Sequence, residues 1–182
     1  MKNFFVSCSL FAFALCALNA TAQDAEPLQP QGTWYLGTAN ATDLFKMFSS
    51  EGMEVSPFVG YAIADDIAIT VGLDYGTMTT DAVEGGAPEM SISNSNISLG
   101  AAYFFGDNYY AQAQFVMGSA SVDDGVNDEV ELSSSGYGIG LGKFIPVKDM
   151  WYVTPQLNYS GGSDDDGSQA GASITIAFGA RF

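Results

Sequence analysis

The residues best placed to do chemistry are carboxylates. "SVDDGVNDEVE" (121–131) carries Asp123, Asp124, Asp128, Glu129 and Glu131, "GSDDDGS" (162–168) carries Asp164, Asp165 and Asp166, and "DAVEGGAPE" (81–89) adds Asp81, Glu84 and Glu89. Clustered carboxylates suit Ca²⁺ or Mg²⁺, which take oxygen ligands, although none of these runs has the spacing of an EF-hand loop. The expected metal ligands are Asp123, Asp124, Asp128, Asp164, Asp165 and Asp166, as one weak, distributed site; solvated loop tips are the competing account of the same residues. The sequence contains no histidine. A Ser–His hydrolase, an Asp–His protease and a histidine metal site are therefore excluded. "GYGIGLG" (136–142) has the glycine density of a dinucleotide loop, but no helix follows it and it lies within a strand pattern. No cofactor is expected, and the chain reads as a non-enzyme.

The elements that must hold these carboxylates are strands. In "GASITIAFGARF" (171–182) apolar residues fall on every second position, from Ala172 through Ile174, Ile176, Phe178 and Ala180 to Phe182. A period of two is a strand with one apolar face. The pattern recurs near 32–40, 54–63, 67–78, 91–105, 109–121, 130–145, 151–161 and 168–182. The one helical-looking piece is 42–50. Connections alternate between short ("ADD", "GDN", "PVKDM") and long (about 41–53, 79–90, 122–129 and 162–167). Such alternation predicts up-and-down antiparallel pairing. Eight is an even number, so the first and last strands can close a barrel and remove the exposed edges.

The first 22 residues read as a secretory signal peptide: Lys2, the apolar run "FFVSCSLFAFALCAL", then the small-x-small site Ala20-Thr21-Ala22. Residues 23–31 read as a short periplasmic segment and 32–182 as the barrel. Both cysteines, Cys8 and Cys16, fall in the leader, so the mature chain has no disulfide. It keeps four basic residues (Lys46, Lys143, Lys148, Arg181) against 21 acidic ones, a net charge of −17. Nucleic acid is excluded as a partner, because the charge that would neutralise phosphates is missing.

Which face is apolar decides the class. Ile67, Ile69, Val71, Leu73 and Tyr75 oppose Ala68, Thr70, Gly72, Asp74 and Gly76, and Tyr137, Ile139 and Leu141 oppose glycines 136, 138, 140 and 142. A narrow eight-stranded barrel has little room inside, so small and polar residues belong there. The strand bodies carry almost no Lys, Arg or Glu, as a lipid-facing surface requires. Trp34, Tyr61, Tyr75, Tyr103, Tyr109, Trp151, Tyr159 and Phe182 are expected near the two membrane interfaces. Asp74, Gln112, Gln114, Gln156, Asn158 and Arg181 are expected in the lumen, as a plug of mutual hydrogen bonds or, alternatively, the lining of a narrow porin-like channel. A secreted lipocalin-like carrier is the reading with the faces reversed.

The stretches "SPFVGYAIADDIAITVGLDYG" (56–76), "GYGIGLGKF" (136–144) and "ITIAFGARF" (174–182) resemble the small OmpA/OmpX-like eight-stranded outer-membrane β-barrel proteins, in particular the outer-membrane β-barrel domain proteins common in Bacteroidetes. The resemblance runs through the mature chain and implies an all-β, up-and-down transmembrane barrel in outer-membrane lipid. It also implies that Phe182, Phe178 and Ile176, with Ile174, form the terminal pattern read by the barrel assembly machinery. It names no surface ligand.

Overall fold

The computed structural model describes residues 27–42, 52–80, 90–123, 130–163 and 167–182. Its strands are β1 (Trp34–Thr38), β2 (Gly52–Val55), β3 (Pro57–Ala64), β4 (Ile67–Thr80), β5 (Met90–Phe105), β6 (Tyr109–Asp123), β7 (Val130–Lys143), β8 (Ile145–Lys148), β9 (Trp151–Ser163) and β10 (Ser168–Arg181). Two of the breaks are local. β2 and β3 keep one register on β4 and are parted at Ser56, before Pro57. β7 and β8 keep one register on β9 and are parted at Phe144, next to the point where Lys143 would face Pro155. Proline has no N–H to give to a ladder. With those pairs joined, the described residues form the eight strands expected from the sequence. The helical-looking piece at 42–50 lies, beyond Thr42, outside the described residues.

Every neighbouring pair is antiparallel, and the ring closes between β1 and β10, from Tyr35↔Arg181 to Thr38↔Phe178. Reciprocal bonds of 3.0 Å between the backbones of Trp34 and Phe182 finish the seam. The short connections need residues that tolerate the left-handed region. Asp66 (φ 60°), Asn108 (φ 59°) and Asp149 (φ 52°) supply them, their short polar side chains lowering the cost of that conformation.

Side chains follow the alternation. Leu99 is 60 % exposed and Leu141 51 %, whereas Ala68 on the opposite face is 1 % exposed. On five strands the runs of large outward apolar side chains share one length. They cover Ile67–Tyr75 on β4, Ile97–Phe105 on β5, Tyr109–Met117 on β6, Trp151–Tyr159 on β9 and Ile174–Phe182 on β10, nine residues each. About 9–11 tilted residues cross a hydrocarbon layer.

Beyond that belt, towards the long loops, the alternation reverses on β4–β7. The positions in line with the belt become Thr77 and Thr79, Ser91, Ser93 and Ser95, Ser119 and Ser121, and Ser133 and Ser135, while Met78, Ile92, Val122 and Leu132 fall in line with the lumen positions, Met78 (60 %) and Ile92 (36 %) standing exposed at that end of the barrel. The ladders run through this point without a register shift, so the change belongs to the sequence and not to a bulge. It marks the end of the apolar belt.

Candidate functional site

The lumen falls into two storeys. At the short-turn end Tyr35, Phe104, Tyr110, Phe144 and Tyr152 form a buried aromatic cluster, floored by Ala62, Ala68 and Ala102. Phe144 stacks on Tyr152 at 4.5 Å between centroids, and Tyr35 meets Phe144 and Tyr152 edge-on. Offset and edge-on contacts are the arrangements aromatic quadrupoles favour. Small and polar residues were expected inward, with bulky ones crowding the lumen. Large rings fit there as well, because many of the inward rings and amides stand opposite a glycine. Tyr110 pairs with Gly142, Gln114 with Gly138, Gln112 with Gly140 and Tyr152 with Gly179. A β-carbon at Gly142 would fall 2.5 Å from Tyr110 Cζ, and one at Gly138 3.0 Å from Gln114 Cγ.

Above the rings lies the polar storey. Gln112 Nε2 donates to Gln156 Oε1 at 2.8 Å and to Asn158 Oδ1 at 3.2 Å, and Asn158 Nδ2 donates to Thr175 Oγ1 at 2.9 Å. This network joins Gln112, Gln156 and Asn158 of the residues expected in the lumen, with Thr175 added, whereas Arg181 bonds to Gln29 instead and the Gln29 Nε2 amide is buried without a partner among the described residues.

A residue the sequence reading did not single out completes the closure. Gln29, in the segment assigned to 23–31, is fully buried in the barrel's short-turn mouth. Its backbone N–H donates to Asp66 Oδ1 at 2.8 Å, and its carbonyl accepts from the Asp66 N–H at 2.9 Å. Its side-chain Oε1 accepts from the Tyr35 hydroxyl at 2.8 Å and from Arg181 at 3.3 Å. Gln31 N–H donates to Asp65 Oδ1 at 2.9 Å. Asp65 and Asp66, chosen by the turn, thus also receive the N-terminal segment. The only sequence signal was Pro27 and Pro30, which bracket Gln29 and stiffen its backbone.

The remaining site residues separate. Phe178 stacks on Trp151 at 5.3 Å with an angle of 6°, and Phe182 and Ile176 point outward and exposed. Of the six aspartates expected to bind a divalent cation, Asp123 ends β6 opposite Ser91. Asp124, Asp128, Asp164, Asp165 and Asp166 lie outside the described residues. Among the described residues no three His, Cys, Asp or Glu side chains converge on a metal position. Lys143 sits near the short-turn end of the belt, 2.9 Å from Asp107 and 4.8 Å from the centre of the Tyr109 ring, its charge drawn to the rim.

A closed eight-stranded ring with a nine-residue apolar belt outside and a packed polar and aromatic lumen is a transmembrane β-barrel of the small outer-membrane type. Two solved structures share this fold. The N-terminal β-barrel domain of Pseudomonas aeruginosa OprF superposes with a TM-score of 0.50 at 17 % identity, over 85 % of this chain and 100 % of that one. Ail, the attachment invasion locus protein of Yersinia pestis, superposes with a TM-score of 0.50 at 13 % identity, over 83 % of this chain and 94 % of that one. No protein-family model and no curated protein matches the sequence.

Proposed function

We propose that this chain is an integral protein of the bacterial outer membrane with a structural or surface-interaction role, that it is not an enzyme, and that its lumen does not conduct. The observation that carries the reading is the combination of a lipid-length apolar belt with a lumen filled from the Gln29 mouth to the Gln112–Asn158 amides. In this reading the short turns face the periplasm and the long, acidic connections face outward, where loops carry binding. The similarity of fold to Ail, an attachment protein by its name, is compatible with a surface role. The reversed-face carrier has no support in side chains such as Leu99, Met117 and Leu157, which stand exposed on the outside.

Membrane fractionation, combined with conductance of the refolded protein in planar bilayers, tests both parts. The expected outcome is recovery with the outer membrane and no steady current. A steady ion current would replace this reading with the narrow porin-like channel. We further infer that the terminal run Ile176, Phe178 and Phe182 engages the assembly machinery, and that Asp123, Asp124, Asp128 and Asp164–Asp166 bridge Ca²⁺ or Mg²⁺ to anionic headgroups. For the aspartates, replacing all six by Asn should abolish the rise in thermal stability given by millimolar Ca²⁺ in lipopolysaccharide-containing bilayers. An identical Ca²⁺ response in both proteins would leave them as solvated tips.

A further inference from the structure

The ring is unequally fastened. β5 and β6 pair from Ser91↔Asp123 to Phe105↔Tyr109, whereas the ladder between β1 and β10 runs from Tyr35↔Arg181 to Thr38↔Phe178. The described backbone adds to that seam the Trp34–Phe182 bonds at one end and, at the other, the Ala41 N–H donating to the Ile176 carbonyl at 2.7 Å. The inward pairs of this ladder are Tyr35↔Arg181 and Gly37↔Gly179. Two glycines offer no side chain, so Tyr35 and Arg181 are the ladder's one inward side-chain pair. Gln29 Oε1 accepts from both, from the Tyr35 hydroxyl at 2.8 Å and from Arg181 Nη1 at 3.3 Å. On its own side of the seam Arg181 lies over the Phe144 ring, 5.3 Å from its centre. One oxygen of a buried side chain therefore spans the seam from within.

The segment that carries Gln29 belongs to the other side. Gln29 exchanges two backbone-anchored bonds with Asp66, Gln31 Nε2 donates to the Ile63 carbonyl at 2.9 Å, and the Gly32 N–H donates to the Ala62 carbonyl at 2.9 Å. These partners lie in β3 and the β3–β4 turn. β1 and β3 also pair over a short length, from Trp34↔Tyr61 to Thr38↔Pro57, but the segment's bonds reinforce that side. Its hydrogen bond to β10, among the described residues, is the one from Arg181. We propose that the β1–β10 seam is the unit that opens in the folded barrel, and that residues 29–33 are a strap whose Gln29 latches it shut. Local opening follows the part of a structure with the fewest bonds to break together. It starts at the mouth, because a backbone N–H or C=O parted within an apolar layer finds no water to replace its partner. Gln29 sits at that mouth, fixed to β3–β4 and holding β10 by its last charged residue.

The test is amide hydrogen exchange, read by NMR, on residues 23–182 refolded in detergent micelles. In the parent the Trp34 and Phe182 amides, which bond across the seam, are expected to exchange faster than those of Leu99 and Phe115, which face each other in the β5–β6 ladder. Gln29→Leu removes the shared acceptor. It should speed exchange at Trp34 and Phe182 about tenfold, within the cost of a buried hydrogen bond lost, and leave Leu99 and Phe115 unchanged. Arg181→Met keeps an unbranched stem over Phe144, frees β10 alone, and should give the same increase confined to the seam. Leu36 and Ala180 are opposite one another in the seam. A disulfide between Leu36→Cys and Ala180→Cys should therefore abolish the effect of Gln29→Leu, and its reduction should restore it. Equal acceleration of all four amides would overturn the proposal, by showing that Gln29 supports the fold as a whole. Unchanged exchange at Trp34 and Phe182 in both variants, or an effect that survives the disulfide, would overturn it as well.

Discussion

Tyr110 and Gly142 face each other across β6 and β7, and the phenol ring of Tyr110 fills the space a side chain at Gly142 would need. The same exchange of one bulky and one absent side chain recurs along the lumen and lets a narrow barrel hold aromatic rings. Gly142→Ala therefore overpacks the pair, at a cost of about 1–3 kcal/mol. In a double-mutant cycle with Tyr110→Ala, the two changes should offset each other by about 0.5–3 kcal/mol, as residues in contact do. Urea unfolding in micelles measures the cycle, and strict additivity would show that ring and glycine do not share the space.

Gln29 joins the N-terminal segment to the Asp66 turn, the Tyr35 hydroxyl and Arg181. Gln29→Leu keeps the volume and leaves Tyr35 and Arg181 without that acceptor. A loss of about 1–3 kcal/mol is expected, the cost of a buried group left unsatisfied. A change within about 0.5 kcal/mol, as at an ordinary surface site, would mean that the segment is a passive tether.

Val71 lies at the middle of the β4 belt, and Thr79 points to the same side beyond it. Val71→Arg should cost about 2–4 kcal/mol in a bilayer, whereas Thr79→Arg should cost about 0–1 kcal/mol, because the penalty for charge falls with distance from the midplane. Equal costs at the two positions would contradict the boundary drawn between them.

Much of this was legible because lipid imposes simple rules. Strand positions, turn residues and the outward face followed from alternation, since one side must be apolar over a fixed length. The lumen was less legible. Tyr110 and Tyr152 could be placed on the inner face by their parity, but their tolerance inside depends on Gly142 and Gly179, which lie on other strands. Gln29 was hidden for a related reason: its partners Asp66 and Arg181 are 37 and 152 residues away. The reversal beyond Tyr75 was missed because alternation was taken to keep one meaning along each strand. The acidic runs, so plain in the sequence, fall largely outside the described residues.

Phe182 closes the backbone seam with Trp34 while its ring stands exposed at 64 %. Phe182→Ala keeps the backbone bonds and removes only the ring. Refolding yield in micelles should stay near that of the parent, whereas the amount assembled in the outer membrane of cells should fall severalfold. Equal losses in both settings would reduce the ring to packing and remove the recognition role.

The most direct test of the account is a cysteine scan along β5. Residues 23–182 contain no cysteine, so single cysteines from Met90 to Phe105 can each carry a spin label in that segment refolded in lipid bilayers. Relative accessibility to oxygen and to a water-soluble nickel complex then reports the surroundings of each site. Labels at 97, 99, 101, 103 and 105 are predicted to favour oxygen, as lipid-facing positions do, and labels at 91, 93 and 95 to favour the nickel complex. Water-like accessibility at Ile97 and Leu99, or a lipid signature continuing through Ser91–Ser95, would contradict the nine-residue belt and the transmembrane barrel built on it.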